Sequence, residues 1–153
     1  MDLIKSIDML KTIRELVLKA VDGLNDQQLL QIPEGYKNNI AWNLGHIIAT
    51  QQILSYTLSR LDMRIPKEIA GMYRTGTDPN RWNSTPDISN LKSLLVTLPD
   101  EFLNDYKSGI FQDFRPYKTA TGVQLGSLQD AINFNYFHEG VHTGIILSMI
   151  KHI

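Results

Sequence analysis

The sequence contains no cysteine. That single absence excludes disulfides, thiolate metal ligands and a cysteine nucleophile together. An excess of either charge is missing too. Fifteen basic and 16 acidic residues leave a net charge of −1 at pH 7, so nothing favours nucleic acid or an anionic membrane surface as a partner. No apolar run approaches the roughly 20 residues that span a bilayer. The first residues, MDLIKSIDMLK, break their apolar positions with charges, so no signal peptide is expected. A cytoplasmic setting fits the lack of cysteine. Internal repeats, low-complexity tracts and linker-like boundaries are likewise lacking.

What is present is an ordinary mix, 42% hydrophobic and 20% charged over 153 residues, enough for one domain (1–153) with a real core. From Leu3 the apolar residues recur every three or four positions through Leu24, which predicts a helix over 2–22 stopped near Gly23. A single turn is expected at 26–30, before Pro33 and Gly35. A second long helix, capped by Asn38 or Asn39, is expected over 38–62, with Trp42, His46, Ala49 and Ile53 on one inward stripe. Gly45 inside it costs about 1 kcal/mol relative to alanine, and a close neighbour or a metal-bound group would explain its presence.

Residues 63–87 read as a long connection carrying Met72, Tyr73 and Trp82. Loops of that length in small domains tend to be functional, and the aromatic content argues for order. These three residues are therefore candidates for contact with a bound small molecule. A third helix is expected from Pro86, capped by Thr85, to about residue 107, kinked or split at Pro99. The connection 108–126 alternates around Gly122 as a small hairpin would. The fourth helix should start at Gly126 or Ser127 and face inward with Ala131, Phe134, Asn135, His138, Val141, His142, Ile145 and Met149. Four such helices with little strand signal predict an all-α four-helix bundle.

Three of the four histidines point to chemistry. His138 and His142 stack one turn apart on the last helix, and His46 lies on an apolar stripe of the second. A lone inward histidine more often bonds to backbone than to an ion. A buried one-turn pair has two imidazoles to satisfy at once, which a metal does well. We therefore expect His46, His138 and His142 to hold one metal ion, with His152 in solvent. The run HEGVH also fits H-E-x-x-H, in which Glu139 would be a general base of a metal-dependent hydrolase.

The blocks Asn39-Ile40-Ala41-Trp42-Asn43-Leu44-Gly45-His46, YRTGTDP (73–79), Ser84-Thr85-Pro86, and His138-Glu139 through His142-Thr143-Gly144 resemble the DinB-like (damage-inducible) superfamily of small four-helix bundles, related to the bacillithiol and mycothiol S-transferases. The resemblance spans nearly the whole chain. It implies zinc or nickel on the three histidines, an up-down-down-up bundle with 63–87 as the crossover, and a homodimer. Ile145 stands where many relatives carry glutamine. Three ligands leave a tetrahedral ion one open position, the pattern of catalytic sites. Three functions stay open: a metal-dependent thiol S-transferase joining a low-molecular-weight thiol to an electrophile, a non-enzymatic bundle with a structural metal or none, and the Glu139 hydrolase.

Overall fold

A computed structural model describes residues 3–153 and shows an all-α bundle with one small hairpin. Helix α1 (Leu3–Val21) buries Leu3, Ile7, Leu10, Arg14, Val17 and Val21, the three-and-four spacing that puts side chains on one face. The start expected at Asp2 lies outside the described residues. The short α2 (Asp26–Leu30) is held by a reciprocal cap. Asn25 Oδ1 accepts from Gln28 N at 2.9 Å and Gln28 Oε1 accepts from Asn25 N at 3.1 Å.

Helix α3 (Ile40–Gln52) is the centre of the molecule. Asn39 caps it by accepting from Trp42 N at 2.8 Å, and every residue but Thr50 is buried. A helix covered on all sides has to be apolar nearly all round, and Ile40, Ala41, Leu44, Ile47, Ile48 and Ala49 supply that. Each of the larger ones contributes about 1.5–3 kcal/mol by leaving water. The helix does not run to 62 as an α-helix. It passes into a π-helical turn (Ile53–Thr57), with Leu58 N bonding Ile53 O, and Arg60 at φ 60° ends the run. Leu54, Ser55 and Tyr56 in this turn are buried, so the covered stretch continues past the end of α3.

The 63–87 connection is more structured than its composition suggests. It contains α4 (Lys67–Tyr73), which packs against α3, and a 3₁₀ turn (Pro79–Arg81). Helix α5 (Ile88–Lys107) is capped by Asp87 and not by Thr85, so Pro86 falls before the helix. The Asp87 carboxylate accepts from Asn90 N at 2.9 Å and from the Ser89 hydroxyl at 2.7 Å. Pro99 does not split α5. Leu95, Leu98, Pro99 and Phe102 are all buried, and their packing outweighs one lost backbone bond. Strands β1 (Tyr117–Lys118) and β2 (Gln124–Leu125) pair antiparallel with Gly122 at φ 88° in the turn, the hairpin that the alternation predicted. Helix α6 (Leu128–Met149) starts at Ser127, whose Oγ accepts from Asp130 N, and ends in a 3₁₀ turn (Ile150–His152).

Helix α1 packs against α5 and α6, and α3 packs against the same two. Consecutive long helices α1 and α3 therefore sit diagonally, and α6 bridges them with one side toward each. Among the described residues no helix is long and apolar enough to cross a membrane.

Candidate metal centre

The α3–α6 contact brings together His46, His138 and His142, whose candidate ligand nitrogens all lie within 4.8 Å of one another. Their partners decide which nitrogen each offers. His46 is 4% exposed, and its Nδ1 donates to the Tyr73 carbonyl at 2.6 Å, leaving the Nε2 lone pair free. Asn43 Nδ2 donates to the Asn39 carbonyl at 2.8 Å, so its Oδ1 is the acceptor turned to His142 Nδ1 at 2.7 Å. His142 thus also presents a bare Nε2. His138 Nε2 lies 3.1 Å from His46 Nε2, and its own Nδ1 is buried without a partner among the described residues. At that distance His138 Nε2 either donates its proton to His46 Nε2 or, with the proton on Nδ1, turns a second lone pair toward the place of a cation. Nitrogens about 2.0–2.1 Å from a tetrahedral zinc would sit roughly 3.3 Å apart, so the spacing suits an ion.

The electrostatics agree. Burial, with the nearby His142 and His46 adding to it, pushes His138 down to about 3. Burial and the nearby His46 push His142 down to about 4. Burial lowers His46 as well, against the opposing bond to the Tyr73 carbonyl. All three are neutral at pH 7, the form that ligates metal. Trp42 stacks on His46 at 4.5 Å and 12°, fixing the ring plane and excluding water from that side.

Tyr73 does two things here. Its carbonyl orients His46, and its ring lies directly over Gly45, where a methyl group would overlap it. That is the close neighbour which the glycine in mid-helix called for. Met72 and Trp82 sit one layer out. Trp82 packs edge-on against Tyr73 at 5.6 Å, its Nε1 donates to the Met72 carbonyl at 3.5 Å, and both residues line a cavity that contains no histidine. His152 is exposed beside Tyr36.

Glu139 is not at the histidines. It lies between them in sequence, yet its helical position turns it to the α1 side. Fully buried, it accepts from Arg14 Nη2 at 2.8 Å, from Arg14 Nε at 3.1 Å and from Asn135 Nδ2 at 2.8 Å. The H-E-x-x-H expectation is corrected to that extent: the histidines converge, and the carboxylate is occupied by a buried guanidinium. Val141 is also corrected, being 44% exposed rather than inward.

Sequence reasoning missed Asn43 and Arg14. Each had a signal. Asn43 precedes His46 by three on the same helix, and Arg14 occupies a core position of the α1 stripe between Leu10 and Val17. It also missed the space beside the cluster. A cavity of about 420 Å³, lined by Thr50, Ile53, Leu54 and Phe134 among others, has His138 in its wall.

No curated protein matches this chain. The family model for the DinB superfamily matches residues 9–146, a stretch that takes in Arg14, the capped start of α3 and all three histidines, and the chain belongs to the DinB superfamily.

Proposed function

We propose that this bundle is a metal-dependent enzyme of the thiol S-transferase type, with zinc or nickel held by His46, His138 and His142. The observation that carries the reading is the convergence of three neutral imidazoles, two with their tautomers set by Tyr73 and Asn43, beside a cavity large enough for a small molecule. A bound divalent ion would supply Lewis acidity, lowering the pKa of a thiol placed against it.

The chain's own residues do the rest. Tyr73 and Asn43 hold the ligand rings, Trp42 keeps water from one side, and the cavity wall aligns the electrophile. In the reaction the thiol loses its proton to solvent, sulfur forms a bond to the electrophilic carbon, and the leaving group departs with its bonding pair. No cysteine is present to divert the cofactor into a mixed disulfide. Glu139 has no part in proton transfer in this scheme, because Arg14 already holds it, and the hydrolase reading loses its base. The setting is cytoplasmic, where such thiols are abundant and reduced.

Metal content of untagged protein tests the first half. Histidine-to-alanine changes at 46, 138 and 142 should each lower it, and His152→Ala should not. Equal content in all four variants would reject the assignment. For the second half, consumption of a soft electrophile is followed with bacillithiol, mycothiol and glutathione in turn. The metal-loaded protein should be faster than the apo form and than the His142→Ala variant. No difference with any of the thiols would leave the non-enzymatic bundle as the better account.

A further inference from the structure

The 420 Å³ cavity beside the histidines has a chemical bias of its own. Ile53 and Leu54 from the π-helical turn and Phe134 from α6 give it an apolar wall, while Thr50 carries a hydroxyl 3.5 Å from His46 Nε2. Among the described residues no carboxylate lines it. Its one formally charged lining residue is Arg74, which is exposed and whose side chain has no hydrogen bond or ion pair among the described residues. Arg14, Arg64 and Arg81 each face a carboxylate, whereas Arg60 and Arg115, like Arg74, have no ion pair among the described residues; of these three only Arg74 lines the cavity.

The position of Arg74 is not loose. Its carbonyl accepts from Thr77 N at 3.2 Å and from Thr77 Oγ1 at 2.8 Å, and the residue before it is Tyr73, whose carbonyl orients His46. The backbone thus ties the cation to the ligand cluster through a single peptide unit. A guanidinium without a partner, on a mostly apolar cavity with no acid, favours a ligand that brings the missing negative charge.

We propose that the cavity binds a small molecule with an apolar body and a terminal anionic group, the anion on Arg74, the body against Ile53, Leu54 and Phe134, and the other end at His138. The identity of the reacting end rests on the transferase reading; the anion site does not. Either the thiol or the electrophile can carry the anion, and the probes separate the two.

Equilibrium binding of hexanoate, 1-hexanol and 6-mercaptohexanoate is measured by calorimetry on metal-free and zinc-loaded protein. Metal-free wild type should bind hexanoate more tightly than hexanol. Arg74→Gln should weaken hexanoate roughly tenfold or more without changing hexanol, the loss expected for one charge-assisted contact. Arg74→Lys should restore part of it, and unchanged thermal melting should show that the fold is intact. In zinc-loaded protein, a gain for 6-mercaptohexanoate over hexanoate that Arg74→Gln reduces assigns the anion to the thiol. Equal binding of the two assigns it to the electrophile. Hexanoate binding no tighter than hexanol, or unchanged in Arg74→Gln, overturns the proposal. Absence of zinc binding defeats the transferase reading alone, since the hexanoate comparison is made without metal.

Discussion

At the scale of single residues, the candidate centre is shaped by groups outside the three histidines. Asn43 is the clearest. Its amide is fixed by the Asn39 carbonyl, so it can only accept from His142, and that acceptance selects the nitrogen His142 offers. Asn43→Ala leaves all three histidines in place and, if they hold the proposed ion, should still lower metal affinity about 10- to 100-fold, as loss of such outer partners does elsewhere. Competition with a chromogenic chelator measures this directly, and an unchanged affinity would mean that α6 packing alone orients the ring. Gly45 shows the same economy from the other side. With no Cβ it lets the Tyr73 ring close onto α3, and that approach delivers the Tyr73 carbonyl to His46.

At the scale of elements, α6 has two different faces separated by about a quarter turn. One carries His138 and His142 toward α3, and the other carries Asn135 and Glu139 toward Arg14 on α1. The Arg14–Glu139 pair is fully buried, so removing one partner strands the other's charge. Glu139→Gln should therefore cost about 3–5 kcal/mol of stability. Metal stoichiometry of the protein that remains folded should be unchanged. The double change Arg14→Met with Glu139→Leu should recover much of the loss. Urea midpoints read the first effect and elemental analysis the second. If Glu139→Gln abolished turnover with no loss of stability, Glu139 would be a base after all.

At the scale of the whole molecule, the far end of the bundle is tied by Asp105. It accepts from Arg64 Nε and Nη2 and from the Tyr56 hydroxyl, all at 2.7 Å, joining the π-helical turn, the following connection and α5. Burial alone would raise the Asp105 pKa, but its hydrogen bonds to Arg64 and Tyr56 outweigh that and hold it below the ordinary aspartate value. A carboxylate depressed in the fold contributes stability that is complete above the unfolded value of about 3.9 and is lost as pH falls through the lower folded value. The gap in stability between wild type and Asp105→Asn should therefore be widest near neutrality and close below about pH 4. Denaturant midpoints between pH 7 and 2.5 test this, and a gap independent of pH would contradict it. The outer side of α6 exposes Phe137, Val141 and Leu147. We propose a homodimer through that face. Sedimentation at micromolar concentration should give dimer mass, and Phe137→Glu should give monomer.

Much of this was legible in the chain. Apolar spacing sets the helices, Asn39 and Ser127 mark two of their starts, and a four-residue interval is enough to stack His138 on His142. These are local facts, fixed by backbone periodicity and by which side chain can satisfy a free N–H. The same logic failed where two signals competed. Asp87 took the cap from Thr85, and Pro99 stayed inside a helix that packing held together. The inward face of α6 was illegible for a related reason: apolar residues lie on both sides of it, so periodicity does not say that Val141 points outward. Only the tertiary structure decided that His46, 92 residues from His138, would meet it, that Glu139 would turn to Arg14, and that Arg74 would stand beside a cavity with no partner among the described residues. Each of those depends on which neighbour a helix face meets, and that is set by the packing of the whole bundle, since no stretch of sequence contains both sides of the contact.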